Sequence, residues 1–181
     1  RMMALAGYPF NLRFSFYDAA VDCPSAPLGQ LFGDKHASPE SLDAFIASAD
    51  VFTYEFENIP VAWVERIAAQ KPVYPSVKSL AISQNRLNEK KLFSQLCIPA
   101  AAYHEIHCAD DLAQAASLLG LPLVIKTTMG GYDGKGQFVL RHINDVSQAW
   151  AELGKAAPLI AEAFVTFQRE LSIIAVRSQT G

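Results

Sequence analysis

Cysteine and net charge are both scarce in this sequence, and each scarcity excludes a class of protein. The three cysteines, Cys23, Cys97 and Cys108, are too few and too widely spaced for a disulfide framework or a zinc ligand set. We therefore expect them to be thiols in a reducing cytosol. The chain carries 15 basic and 18 acidic residues, and the resulting net charge of −3 argues against a protein whose main role is binding nucleic-acid phosphates.

Long apolar runs are also missing, although the sequence is rich in apolar residues. No run approaches the roughly 20 residues that span a bilayer. The stretch 2–6 is too short for a secretory signal, and Gly7-Tyr8-Pro9 interrupts it. Because 51% of the 181 residues are hydrophobic, the chain can bury a core. The composition predicts a soluble cytoplasmic protein with no membrane and no nucleic-acid partner.

Two common catalytic signatures are absent. No G-x-S-x-G segment occurs, so a serine hydrolase has no support. The segment His104-Glu105-Ile106-His107 is one residue short of the metalloprotease pattern, and on a strand the two imidazole rings would point to opposite faces. We interpret these histidines as surface or packing residues.

Apolar patterning divides the chain into two parts, with a boundary near residue 76. In residues 1–75, strands are predicted at 12–17, 50–54 and 73–75, and they alternate with helices that begin at Pro39 and Pro60. This alternation indicates a parallel sheet. In residues 76–181, the patterns predict helices at 76–82, 85–96, 110–119 and 144–153 and strands at 102–106, 122–127, 137–141, 159–162 and 170–176. The second part is therefore predicted to be an α+β unit.

Both ends of the sequence are typical of interrupted elements. Residues 1–6 have the pattern of a helix closed by Gly7 and Pro9. The apolar run 172–176 has strand character, and no partner strand follows it. We therefore expect this sequence to be part of a longer protein.

The strongest chemical signal is the glycine-rich segment 126–137, KTTMGGYDGKGQ. Its glycines free backbone N–H groups to surround an anion, and Lys126 and Lys135 add positive charge. It is not a Walker A loop, because Met129 replaces the first glycine and Gly136 follows the lysine in place of serine or threonine. The pattern leaves open a phosphate-binding loop and a simple hairpin tip.

Acidic side chains occur at the ends of predicted strands. Glu162 closes one strand and Glu170 opens the next, while Glu55, Glu57 and Asn58 follow the strand at 50–54. The Glu162 and Glu170 carboxylates can accept hydrogen bonds from an amine or from ribose hydroxyls, or they can be solvated surface charges. The cluster of Glu55, Glu57 and Asn58 can be a paired-carboxylate site or a polar loop at a strand end. Composition alone does not separate these interpretations.

Four segments occur in a diagnostic order along the chain. They are TYEFENIP at 53–60, QNRLNEK at 84–90, GGYDGKGQ at 130–137 with Lys126 before it, and RELSII at 169–174. In this order they resemble the N5-carboxyaminoimidazole ribonucleotide synthetase family, ATP-grasp enzymes of purine biosynthesis. The resemblance implies an α/β fold with a Rossmann-like pre-ATP-grasp domain over residues 1–75, lacking its first strand. Part of an α+β ATP-grasp domain would follow over residues 76–181, truncated at its C-terminal end.

The resemblance also implies a reaction. The family couples ATP cleavage, with Mg²⁺, to the carboxylation of 5-aminoimidazole ribonucleotide (AIR) by bicarbonate, through a carboxyphosphate intermediate. It further implies a homodimer. The metal-binding carboxylates of the family lie beyond Gly181, so we expect no metal ligand within this chain and no activity from residues 1–181 alone.

Site residues follow from the resemblance, motif by motif. Arg86 and Lys126 would contact the ATP phosphates, and Glu170 would bind the ribose hydroxyls. The loop closing over the phosphates would comprise Gly131, Tyr132, Asp133, Gly134, Lys135, Gly136 and Gln137, of which Asp133 and Lys135 are the predicted catalytic residues. The adenine-binding residues would be Glu162, Ala163, Phe164 and Val165. The AIR-binding residues would be Glu55, Glu57, Asn58 and Tyr132.

Two alternatives remain open from the sequence. One is another ATP-grasp ligase or carboxylase with a different acceptor, since such enzymes share the lysine and the glycine-rich loop. The other is a non-catalytic nucleotide-binding module, which would bind ATP without AIR-stimulated turnover. Met129, where the resembled family usually has threonine, and the missing glycine turn before Arg1 are departures from the family pattern.

Overall fold

A computed structural model describes residues 1–20, 22–33, 38–131 and 135–178. The chain forms two compact units, Arg1–Gln84 and Asn85–Gly181. The domain boundary near residue 76 stays a prediction, and in the structure the helix after that position packs on the first unit. None of the helices in the described ranges is long and apolar enough to cross a membrane.

The first unit combines short helices with short parallel strand pairings. Its elements are α1 (Met2–Gly7), β1 (Ser15–Tyr17), β2 (Gln30–Phe32), α2 (Pro39–Ala47), α3 (Val61–Ala68) and α4 (Val77–Ser83), with 3-10 turns at Tyr8–Phe10 and Ala26–Leu28. Strands β1 and β2 are parallel, with Ser15 opposite Gln30. Strand β2 was not predicted from the sequence. The strands expected at 50–54 and 73–75 are reduced to a single parallel bridge between Phe52 and Val73.

Capping and an apolar face explain how α2 forms and where it packs. The Ser38 hydroxyl accepts a hydrogen bond from the backbone N–H of Ser41 at 3.2 Å, and Pro39 occupies the first turn. Leu42, Phe45 and Ile46 then share the buried face. The first core comprises these side chains with Phe52, Val64, Ile67, Val73 and Leu80. Leu80 belongs to α4, which is why this helix is part of the first unit.

The second unit is a four-stranded sheet with helices. Its elements are α5 (Arg86–Gln95), β3 (Tyr103–Ile106), α6 (Ala109–Leu119), β4 (Leu123–Thr127), β5 (Gln137–Leu140), α7 (Val146–Leu153) and β6 (Leu159–Ala163), with 3-10 turns at Ile143–Asp145 and Gly154–Ala156. The strand order is β3-β6-β4-β5, and every neighbouring pair is antiparallel. The predicted β4–β5 hairpin and the predicted edge position of β3 are confirmed.

Strand register separates a core face from a polar face in this sheet. Leu123 and Ile125 of β4 and Ala161 of β6 pack in the core against α6 and α7. Because residues alternate between faces along a strand, Lys126 shares the opposite face with Val124. The register partner of Val124 is Glu162. Lys126 and Glu162 are thus diagonal neighbours on the polar face of the sheet, within reach of a long side chain.

The strand predicted at 170–176 is wrong within the described residues. Residues 164–178 have no regular secondary structure. Ile173 and Ile174 are 91% and 96% exposed. Apolar and β-branched residues favour a strand, but a strand also requires a neighbour for its backbone hydrogen bonds. No described strand of this unit pairs with the run, so its local preference is not realised.

The core of the second unit generates a stability prediction. Leu112 of α6 is completely buried among Ala115, Leu123 and Ile125, whereas Leu118 of the same helix is 63% exposed. Leu112→Ala leaves a cavity, and we expect it to lower the free energy of unfolding by about 2–5 kcal/mol. Leu118→Ala, the matched control, changes it by less than about 0.5 kcal/mol. Urea denaturation measures both, and equal effects would contradict the assignment of the core.

Candidate functional site

A buried carboxylate with two lysines lies on the polar face of the second sheet. Glu162 is the one charged residue among those described that is buried, with 8% exposure. Lys90 Nζ lies 2.7 Å from Glu162 Oε1, and Lys126 Nζ donates to Oε2. Burial alone would raise the pKa of the Glu162 carboxyl, but hydrogen bonds from Lys126 and Lys90 outweigh it, so this pKa lies below its usual value. The carboxylate is therefore ionised at neutral pH, and the three side chains carry one excess positive charge.

Helix α5 brings Lys90 to this cluster. The helix begins at the N-cap Asn85, whose side-chain oxygen accepts hydrogen bonds from the N–H groups of Leu87 at 2.9 Å and Asn88 at 3.3 Å. Arg86 and Lys90 are four residues apart and therefore lie on the same side of the helix. Lys90 was not among the site residues predicted from the sequence. The spacing of these two basic residues within the QNRLNEK segment was the signal that could have found it.

Arg86 fastens the glycine-rich loop where the loop leaves β4. Its backbone N–H donates to the Thr128 carbonyl at 2.9 Å. Its guanidinium donates to the carbonyls of Thr127 at 2.8 Å and Gly131 at 2.9 Å. A guanidinium has more N–H donors than these two. The predicted contact of Arg86 with ATP phosphates stays a prediction, and the structure adds a second role, positioning the loop.

Close backbone packing explains two of the glycines in the loop stem. The Thr127 N–H donates to the Gly136 carbonyl at 2.9 Å, which extends the β4–β5 pairing. Gly136 has a φ of +69°, and a Cβ there would lie 2.9 Å from Thr127 Oγ1. A Cβ on Gly131 would lie 2.8 Å from the carbonyl oxygen of Lys135. A side chain at either position would therefore push the two sides of the stem apart.

A polar atom without a hydrogen-bond partner among the described residues lies within the same stem. The Thr127 hydroxyl is buried and has no hydrogen-bond partner among the described residues. Its neighbour Thr128 is also buried, and its hydroxyl donates to the Pro158 carbonyl at 3.0 Å. An unpaired buried hydroxyl is unfavourable. Thr127 therefore provides a polar group at the base of the loop that the fold itself does not use.

The predicted loop residues are only partly described. Tyr132, Asp133 and Gly134 lie outside the described residues, so their predicted roles stay predictions. Lys135 is exposed in the turn that precedes β5. Gln137 is the register partner of Lys126 in the hairpin. The structure thus places the two ends of the predicted loop, Gly131 and Gly136–Gln137, next to Thr127 and Lys126.

The predicted adenine-binding segment follows directly on the Glu162 cluster. The Ala163 N–H donates to the Ala102 carbonyl at 2.9 Å, and the Phe164 N–H donates to the Pro122 carbonyl at 3.3 Å. Val165 is 53% exposed. Two of the predicted backbone donors are therefore already used within the fold. Glu170 is exposed in the irregular stretch and joins none of the side-chain contacts of the described cluster.

The predicted AIR-binding residues belong to the first unit. Glu55, Glu57 and Asn58 are all exposed. The Gln84 side chain donates to the carbonyls of Glu57 and Ile59, which fixes this turn. Glu55 also lines a cavity of about 240 Å³, together with several aromatic side chains. The turn is thus ordered by its backbone, and its carboxylates are left accessible.

Comparison with known proteins supports this description. Residues 1–84 match the ribonucleotide synthetase preATP-grasp domain, and residues 91–181 match the ATP-grasp domain. A curated N5-carboxyaminoimidazole ribonucleotide synthase from Pseudomonas aeruginosa is 42% identical to this chain, covering 100% of it and 50% of the relative. The chain spans about half the length of the curated relatives it matches.

Solved structures show the same similarity. The N5-carboxyaminoimidazole ribonucleotide synthetase from Thermus thermophilus is 34% identical, with a TM-score of 0.84 over 93% of this chain and 45% of that one. An ADP complex of an N5-carboxyaminoimidazole ribonucleotide synthetase is 31% identical, with a TM-score of 0.83 over 92% of this chain and 44% of that one. The resemblance carried by the four sequence segments is confirmed, and so is the fold class. With the two domain models matched in order along both units, the chain belongs to the ATP-grasp family.

Proposed function

We propose that the protein carrying this chain is an ATP-grasp ligase that carboxylates AIR with bicarbonate, coupled to ATP cleavage, in purine biosynthesis. The observation that carries the proposal is the Lys90–Glu162–Lys126 cluster beside the stem of a glycine-rich loop. The names and structures of the similar proteins support the choice of AIR as acceptor. We further propose a cytoplasmic homodimer, as the family resemblance implies.

The cluster suits the phosphates of a nucleotide. Bicarbonate and the γ-phosphate are both anions, so positive charge must offset their repulsion before they can react. Lys126 has an ammonium with three donors, of which Glu162 takes one. Arg86 has guanidinium donors beyond the two used on the loop. These two side chains are the proposed phosphate contacts, and the unpaired Thr127 hydroxyl adds a polar group at the same stem.

The glycine-rich loop has a second proposed task, excluding water. Carboxyphosphate hydrolyses readily, so the site must open for AIR and then exclude solvent. The residues 131–137 would cover the phosphates in the closed state. Within them, Asp133 is proposed to accept the proton of the AIR amine and Lys135 to stabilise negative charge on the transferring group. Tyr132 would contact AIR from the same loop.

The remaining contacts complete a nucleotide site and an acceptor site. Glu162 and Ala163–Val165 would bind adenine, and Glu170 would bind the ribose hydroxyls. Since the Ala163 and Phe164 N–H groups are already hydrogen-bonded, we place the adenine contact at Val165 and at the carbonyl groups of this segment. Glu55, Glu57 and Asn58 are the proposed contacts to AIR.

We propose Mg²⁺ as the metal of the reaction, as the family resemblance implies. The described residues contain no group of three or more histidine, cysteine or acidic side chains that could hold a metal ion. What these residues contribute is positive charge from lysine and arginine, together with the shape of the loop stem.

Phosphate release by the full-length protein tests the function. With Mg-ATP present, AIR and bicarbonate are added separately and together. We expect release to rise strongly only when AIR is added. Release that is indifferent to AIR would contradict AIR as the acceptor, and it would favour another ATP-grasp acceptor or a module that binds ATP without using it.

The loop stem generates a second prediction, with a matched control in the same loop. Gly136 and Gly130 both have left-handed φ values, +69° and +73°, but only at Gly136 would a Cβ contact Thr127. Gly136→Ala should therefore lower AIR-dependent turnover by about tenfold or more, because the stem can no longer close. Gly130→Ala meets the same backbone strain with no atom of the described residues within 4 Å of the new Cβ, and it should lower turnover much less. Equal losses in steady-state assays would show that backbone strain, and not stem packing, is what matters.

A further inference from the structure

Lys90 contacts the proposed nucleotide site without being one of its predicted members. Its Nζ binds one oxygen of Glu162, and Lys126 binds the other. The two lysines differ in exposure, since the side chain of Lys90 is 12% exposed and that of Lys126 is 29% exposed. Lys90 is therefore the more enclosed partner of the carboxylate, and Lys126 is the more accessible one.

The pairing of Glu162 with two lysines matters when Lys126 is to bind a nucleotide phosphate. A nucleotide phosphate would compete with Glu162 for the Lys126 ammonium. The Glu162 side chain is only 10% exposed, and a buried carboxylate that loses its counter-ion is strongly disfavoured. With Lys90 on the second oxygen, the carboxylate keeps a counter-ion and a hydrogen bond when Lys126 leaves. One lysine can then be released because the other stays.

We propose that Lys90 is a positioning residue that keeps Glu162 paired and in place, so that Lys126 can turn from the carboxylate to a nucleotide phosphate. The inference rests on the proposed nucleotide site. It gives α5 two tasks, since Arg86 positions the loop and Lys90, one turn later, positions the carboxylate.

The test compares a ligand that has phosphates with one that has none. Lys90→Met keeps most of the side-chain length and loses the charge, so Lys126 is the described cation left on Glu162 and is retained there. We expect the dissociation constant of ADP to rise about tenfold, as for the loss of one charge-assisted hydrogen bond. The dissociation constant of adenosine should stay unchanged. Both are measured on the full-length protein by displacement of a fluorescent ADP analogue.

Control variants separate positioning from a general structural effect. Lys91→Met removes the same charge from an exposed neighbouring position on α5 and should leave both affinities unchanged. Lys90→Arg keeps the charge and should retain most of the ADP affinity. In a Glu162→Gln background, Lys90→Met should add no further loss for ADP, because Lys90 acts through the carboxylate.

The ADP and adenosine affinities separate a failure of the positioning role from a failure of the nucleotide site. If ADP and adenosine weaken together in Lys90→Met, or if neither changes, the positioning role is wrong while the nucleotide site stands. If the wild-type protein binds no ADP, the proposed function itself fails, and the inference fails with it. Should Lys90→Met not fold, Lys90→Gln, which is also neutral and of similar length, carries the same comparison.

Discussion

The ion pairing of one buried carboxylate organises the second unit of this protein. Glu162 is at the sheet position where β4 and β6 pair, and its two oxygens are bound by lysines from β4 and from α5. Removing both lysines would leave the buried carboxylate without either of these counter-ions. The cluster therefore ties the helix to the sheet, and Arg86, on the same helix, then holds the start of the glycine-rich loop. The ion pairs of Glu162, the position of α5 and the geometry of the loop stem therefore depend on one another.

Local patterns were sufficient for much of the fold. Capping residues and apolar periodicity act over a few residues, and they were enough to predict several elements. These are the helices capped by Ser38 and Asn85, the β4–β5 hairpin and the edge strand β3. Strands that depend on a distant partner were less predictable. The strands expected at 50–54 and 73–75 form one bridge, β2 was missed, and 170–176 forms no strand, because pairing partners are not encoded locally.

In the candidate site, too, local features were predictable from the sequence and contacts between distant residues were not. The glycine-rich loop and Lys126 were visible in the sequence because their residue types and spacing are themselves the signal. The Lys90–Glu162 contact was not visible in the sequence, because it depends on the register of β6 and on where α5 packs. The direction of the Arg86 guanidinium, toward the carbonyls of Thr127 and Gly131, also depends on tertiary structure. The proposed phosphate-binding groups were therefore easier to identify from the sequence than the groups that hold them in place.

A crystal structure of the full-length protein with ADP would show whether the lysine cluster beside the loop stem is the phosphate site. We expect a phosphate oxygen within hydrogen-bond distance of Lys126 Nζ, with Lys90 still on Glu162 and the segment 131–137 over the phosphates. ADP bound elsewhere, with both lysines still on Glu162 and no phosphate near the stem, would contradict this expectation.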